Sequence, residues 1–465
     1  MATKESRLLF NRPNFWEEAN PKTIKEAFSF SENYKNFLNN AKTEKQVINE
    51  CIKSALKKGF KISELNIPSA NARDNKKFIF INRNKSAIFV SLGKKKLVSG
   101  ANFIIAHVDA PHLDLKVRPL YEDSGIAYFK PHYYGGIKKY HWPAIPLSLH
   151  GTVILKNGQE IEINIGNKDN DQIFVISDLL PHLDSDRLDR PLNKAVEAED
   201  LNIIVGSIPV KNKKIKTRVK LTVLEWLNKN YQMDEEDLFT ADLRFVPAWS
   251  AKDVGFDRSL VASYGQDDRA CVYTGFQAFL DAKNEQQTKI CYLVDKEEIG
   301  SVGTTSADSN FLENSIEHLI SLTNSSLSVN DFLRLSQGVS ADTTAAFDPD
   351  YKSVYDPHNS IHLGKGVAIE KYLGRGGKYF TIEAEPIFIR KILNIFKKNN
   401  IIWQTGHLGK VDQGGGGSIA GYLARRNMEI VDMGPPLLNL HSPCELSSKA
   451  DIYSAYRAYK VFMEN

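Results

Sequence analysis

The sequence has 465 residues, 42% of them hydrophobic and 10% aromatic, which excludes a disulfide-dependent miniprotein and a disordered chain and leaves room for two or three domains. Its 60 basic and 56 acidic residues nearly cancel to +4, too even a balance for nucleic acid or an anionic membrane to be the main partner. The four cysteines, Cys51, Cys271, Cys291 and Cys444, form no CxxC pair, the N-terminus has no basic head before an apolar stretch, and no run approaches about 18 apolar residues. The expectation is a cytoplasmic, unprocessed protein with no thiolate zinc site.

In chain order, charged residues at helical spacing predict a helical cap over residues 15–58, ending at Gly59. The runs 78–81 and 86–90 read as strands joined by a polar turn, and 102–106 reads as a buried strand ending at His107. From 114 to 242 the texture changes to short alternating strands such as 151–155 and 160–164. An α/β rhythm then returns, with helices predicted over 269–282, 385–399 and 449–463 and strands over 290–294, 401–403 and 428–433. These features predict an α/β fold: a discontinuous catalytic domain (1–113 and 243–465) with a mixed central sheet flanked by helices, interrupted by an inserted β-rich domain (114–242). The basic stretch from Lys211 to Lys220 reads as solvated turns and strand edges.

Oxygen and imidazole ligands recur singly at predicted strand ends, where open α/β sheets place their active sites. His107-Val108-Asp109 offers an imidazole with a carboxylate two residues on, though a surface turn would look the same. Asp267 and Asp268 precede a helix; capping explains one aspartate but not both. Glu297 and Glu298 end an apolar strand, where adjacent carboxylates repel unless a cation or shared proton offsets them, so one could bind metal while the other stays free as a general base. Asp342 and His441 are each ordinary alone. Jointly the set suits two divalent metals better than one structural zinc. The glycine run Gly414–Gly417 lacks the lysine of a nucleotide-binding loop and fits a substrate-cradling loop or a tight connection equally.

The order and content of these segments, AHVDAPHLDLKV, DDR, DKEEIGS, SADTTAAFDPDY and NLHSPCELSSKADI, resemble the aspartyl aminopeptidase and vacuolar aminopeptidase I family of dinuclear zinc peptidases over nearly the whole chain. The resemblance implies that His107 and Asp342 bind one Zn2+, Glu298 and His441 the other, and Asp267 bridges both. It makes Glu297 the general base and Asp109 the residue that orients His107. It also implies peptide substrates, a dimerisation role for the inserted domain, dimers assembling into a hollow dodecamer, and a histidine, His182, reaching a neighbouring subunit's site. Residues 343–347 lack the histidine that aspartyl aminopeptidases carry after the matching aspartate, and 409–413 differ from their loop, so neutral or broad specificity is favoured over acidic. Two competing readings of the same residues are a two-metal phosphoesterase and a metal-stabilised assembly particle with little catalysis.

Overall fold

The computed structural model describes residues 8–65, 75–168, 170–283 and 285–465; the first seven residues of the expected unprocessed N-terminus lie outside the described residues. Three sheets organise them. The largest has nine strands in the order Lys61–Ile62, Lys77–Asn82, Ser86–Ser91, Thr288–Val294, Ala101–His107, Gln337–Ala341, Glu429–Gly434, Val367–Glu370 and Trp403–Thr405. It is mixed. The four central strands, from Thr288–Val294 to Glu429–Gly434, run parallel and end on one edge.

The strand Ala101–His107 explains why the central sequences are continuously apolar: every residue in it is buried. Alternate side chains serve opposite faces. Phe103 and Ile105 pack in one cluster with Phe311, Leu312 and Phe332, while Ile104 and Ala106 pack in another with Phe276, Phe279 and Tyr459. The second face is covered by the helices Glu44–Lys57, Gln266–Asp281, Pro386–Lys398 and Lys449–Met463, whose buried residues join its cluster. The N-terminal helices Phe15–Glu18, Pro21–Asn40 and Glu44–Lys57 occupy the region predicted to be helical.

A second, seven-stranded sheet is built from residues between His112 and Pro247 and has its own core around Leu113, Phe129, Trp142, Leu149 and Phe245. Lys211–Lys220 departs from expectation at its end: Arg218–Tyr231 is a helix, because Val219, Val223, Leu224 and Leu227 recur at helical spacing; Val219 is buried and the other three belong to or pack on that core. The third sheet, of five strands, was not anticipated. It joins Lys252–Val254, Leu260–Ser263, Glu445–Ser448, Pro436–Leu438 and Thr344–Ala345. No described helix is long and apolar enough to cross a membrane.

The second sheet is tied to the first by a buried charge pair. Arg244, on the strand Ala241–Pro247, is 5% exposed and donates to Glu44, 2% exposed, on the helix Glu44–Lys57, and to Asp242 at 2.7 Å. Removing the cation alone would leave Glu44 buried without its partner, a loss of about 3–5 kcal/mol. Arg244→Leu should therefore lower the unfolding free energy by that amount in denaturant titration; a change below about 1 kcal/mol would show that the pair is not buried as described.

Candidate active site

Strand register brings the ligand-type residues to one level. Val294 pairs with His107 and Ala341 with Met433, so the ends of four parallel strands open onto the same edge. Asp295 and the turn Glu297–Ile299 follow one strand, Val108 and Asp109 another, Asp342 a third. The fourth, Glu429–Gly434, comes so close that a Cβ at Gly434 would lie 1.7 Å from the Asp342 carbonyl oxygen, which is why only glycine fits there. The third sheet completes the ring: Leu260–Ser263 leads to Asp267, and the hairpin of Pro436–Leu438 with Glu445–Ser448 carries His441 in its loop.

His107, Asp267, Asp268 and Asp342 offer ligand atoms that lie within 4.8 Å of one another, and so do Asp267, Glu298 and His441. Asp267 belongs to both groups, turning Oδ1 toward His107 Nε2 at 3.3 Å and Oδ2 toward His441 Nε2 at 3.3 Å. His107 Nε2 is also 3.8 Å from Asp342, and His441 Nε2 is 3.5 Å from Glu298. Both imidazoles are oriented from behind. His107 Nδ1 lies 3.0 Å from the Asp109 carbonyl oxygen and His441 Nδ1 3.0 Å from that of Gly136; a carbonyl only accepts, so Nδ1 carries the proton and Nε2 faces the carboxylates.

Burial and mutual repulsion set the charge state. Glu297 is pushed up to about 8, by burial first and then by Asp342, Asp109 and Asp267. Burial likewise raises Glu298, Asp342 and Asp268. Asp267 is lowered, because hydrogen bonds with His107 and His441 outweigh its burial. Burial opposes charge on His441, yet Asp267 and Glu298 raise it to about 10. Part of the acid surface stays unpaired: Asp268 Oδ1 and Glu298 Oε1 are buried without a hydrogen bond. Oxygen and imidazole donors short of positive charge are what a hard or borderline divalent ion requires, so the residues fit a metal.

Two sequence readings change in detail. The Asp109 carboxylate does more than orient His107: Oδ1 accepts the Glu297 N–H and Oδ2 the Glu298 N–H, each at 3.1 Å, while the main-chain carbonyl holds the imidazole. Neither Asp267 nor Asp268 serves as the expected helix cap; both have non-helical φ/ψ ahead of the regular helix, and Asp268 Oδ2 instead accepts the His107 N–H at 3.3 Å. His182, expected to reach a neighbouring subunit's site, sits exposed on the short turn Pro181–Leu183 and does not line the cavity of its own chain. Sequence reasoning also missed Glu445. Its Oε2 accepts the Gln266 and Asp267 amides at 2.6 and 3.1 Å and its Oε1 the His441 amide at 2.8 Å, bracing two ligand loops. The one available signal was a carboxylate four residues after His441 in an otherwise apolar and small-residue strand.

Above these residues lies a cavity of about 1230 Å³, lined by His107, Asp267, Glu297, Glu298, Asp342 and His441 and roofed by residues that include Gly415, Gly416 and Gly417. The glycine run thus borders the site. Glu297 faces this space but belongs to neither ligand group.

The aminopeptidase I zinc metalloprotease (M18) family model matches residues 37–463. A probable M18 family aminopeptidase 1 of Clostridium acetobutylicum is 44% identical over 461 residues, covering 98% of this chain and 99% of that one. The crystal structure of an M18 family aminopeptidase from Thermotoga maritima superposes with a TM-score of 0.93 at 41% identity, over 98% of this chain and 100% of that one. Saccharomyces cerevisiae mApe1, solved as a dodecamer, shares the fold with a TM-score of 0.75 at 18% identity, over 93% of this chain and 96% of that one. A strand-edge cluster fit for metal, on a fold matched from end to end, thus leads to one conclusion: the chain belongs to the M18 family and is a zinc-dependent aminopeptidase.

Proposed function

We propose that this aminopeptidase uses two zinc ions per subunit, one held by His107 and Asp342, the other by Glu298 and His441, with Asp267 bridging them. The observation that carries this reading is the division of the Asp267 carboxylate, one oxygen toward each histidine, with Glu297 outside both groups. Bound zinc supplies Lewis acidity, lowering the pKa of a water toward ~7 and polarising the scissile carbonyl. Glu297 is the general base: it takes the proton of the attacking water and returns it to the leaving amine. Its side chain borders the cavity while standing outside both ligand groups, which leaves it free to accept and release a proton. Asp109 holds the main chain of Glu297 and Glu298 and so fixes where the base points.

The substrate is a peptide whose free α-amino group binds beside the acidic ligands. Tyr140, Tyr351, Val354, Tyr355, Leu373 and Leu408 give the cavity an apolar and aromatic wall, which supports neutral or broad specificity; Lys138 is the one lysine or arginine among the described residues of the lining that an acidic side chain would meet. The catalytic domain comprises 1–113 and 243–465, and the inserted domain, 114–242, mediates dimerisation. Exposed Leu179, Leu180, Leu183, Leu188 and Leu192 flank His182 on that insert, a pattern that fits burial against another copy, and the S. cerevisiae relative is a dodecamer. In such an assembly His182 would act in a neighbouring subunit's site. The even charge and reduced cysteines fit a cytoplasmic enzyme without nucleic-acid or membrane partners.

Glu297→Gln should keep both metals and the fold while kcat falls by about 10²- to 10⁴-fold; an unchanged kcat would sink the base assignment. Removal of metal with a chelator should abolish activity and lower Tm, since a ligand bound only by the folded state stabilises it, and added Zn2+ should restore both, with two equivalents bound at saturation. A single equivalent would end the dinuclear reading. On a panel of chromogenic substrates, leucyl and alanyl anilides should be cleaved faster than aspartyl ones and phosphate esters left intact; preference for the aspartyl substrate would reverse the specificity assignment.

A further inference from the structure

We propose that Tyr134, at the end of the inserted-sheet strand Ile126–Tyr134, is a positioning residue for the Glu297–Glu298 turn and acts through Asp109. The inference rests on the reading in which Glu297 is the base and Glu298 a ligand. Its starting point is Asp109, a fully buried carboxylate with three donors: the Glu297 amide on Oδ1, and the Glu298 amide and the Tyr134 hydroxyl on Oδ2. The phenol, at 2.8 Å, gives the shortest of the three.

The hydroxyl has a definite task because Asp109 has a competing partner. Its Oδ1 also lies 3.4 Å from His107 Nδ1, so rotation of the carboxylate toward that imidazole would release the Glu297 amide. A donor on Oδ2 opposes that rotation and keeps both oxygens opposite both amides. Burial, and then the Asp109 charge, push the Tyr134 phenol far above its usual range, so it remains an O–H donor at working pH. The ring is itself fixed. It stacks on His112 at 4.3 Å with 13° between planes, and His112 is pinned by the Ala110 carbonyl at 2.7 Å and by Asp114 at 2.8 Å.

The two residues that follow reach the same site by other routes. At Gly135, with φ +73°, a Cβ would stand 3.4 Å from Glu298 Oε2, and the Gly136 carbonyl accepts the His441 Nδ1 proton. Tyr134–Gly136 thus meets the base turn, a carboxylate ligand and a histidine ligand in three consecutive residues. All three lie at the end of the strand Ile126–Tyr134, Tyr134 as its last residue and the two glycines just beyond it. The remaining ligand-bearing loops belong to the other two sheets, so the geometry of the Glu297–Glu298 turn depends on how the inserted sheet is seated.

The test is Tyr134→Phe in the full-length protein, which deletes the hydroxyl and keeps the ring stacked on His112. Expected are a fall in kcat of about 10- to 100-fold with KM changed by less than about twofold, and a loss of similar size in affinity for the second Zn2+ equivalent, measured by chelator competition without substrate. Thermal melting checks folding. Wild-type values for either kcat or second-site affinity overturn the proposal. In the Asp109→Asn background the same substitution should change kcat by less than about twofold, because both act on one turn; full additivity overturns the route through Asp109. Glu297→Gln run in parallel separates the failures. An active Glu297→Gln sinks the base assignment while the affinity measurement still decides Tyr134, and an inert one beside a wild-type Tyr134→Phe sinks only the Tyr134 role.

Discussion

The structure turns on one electrostatic conflict: five carboxylates, Asp267, Asp268, Glu297, Glu298 and Asp342, are crowded at one sheet edge with two imidazoles. Two like charges about 4 Å apart repel by roughly 4 kcal/mol at a surface-like effective dielectric, and more when drier. Such a cluster persists where divalent cations offset it. The ion-pair partners of Asp267, Glu298 and Asp342 are the two histidines, and the groups that steady the surrounding carboxylates are main-chain amides: those of Glu297 and Glu298 on Asp109, and those of Gln266, Asp267 and His441 on Glu445. A lysine or arginine in those places would compete with metal. Amide donors orient the acids and leave their charge for the ion.

That constraint explains why three sheets meet. The parallel strands of the largest sheet can deliver His107, Asp342 and the Glu297–Glu298 turn to one edge, but only from one side. Asp267 and His441 come from the five-stranded sheet, where Glu445, on one of its own strands, ties their two loops together. The seven-stranded sheet closes the third side through Tyr134, which donates to Asp109, and the Gly136 carbonyl that follows its strand. No one sheet carries all of these metal-type side chains.

The sequence made some of this legible and hid the rest for physical reasons. Apolar runs bounded by turn residues marked Ala101–His107, Thr288–Val294 and Glu429–Gly434, because strands buried on both faces must be continuously apolar. Helices with a strong apolar stripe, such as Pro386–Lys398 and Lys449–Met463, were equally plain. The five-stranded sheet was not, since strands of two to four residues, Thr344–Ala345 and Pro436–Leu438 among them, are too short to show a period. The helix Arg218–Tyr231 was masked by the basic residues that precede it. At the site, ligand types at strand ends could be read from spacing, whereas Glu445 and Tyr134 could not: their importance lies in which main-chain and carboxylate atoms they reach, and a glutamate and a tyrosine carry no mark of that.

The side chains that could hold metal run from His107 to His441 in sequence, so most of the chain must fold before they meet. A preformed site cannot exist in the unfolded chain, and binding free energy at such a site becomes folding free energy. Without metal, folding must still bury carboxylates whose charge that burial disfavours: Glu298, Asp342 and Asp268 are raised, and Glu297 stands near 8. Ions bound there would therefore serve two purposes with one set of contacts. They would supply the Lewis acidity that the reaction needs, and they would relieve the repulsion that the arrangement of strands imposes. A substitution that loosens a ligand loop should accordingly be felt first in metal affinity and only then in stability, because the sheets themselves are held by apolar cores on both faces that do not depend on the site.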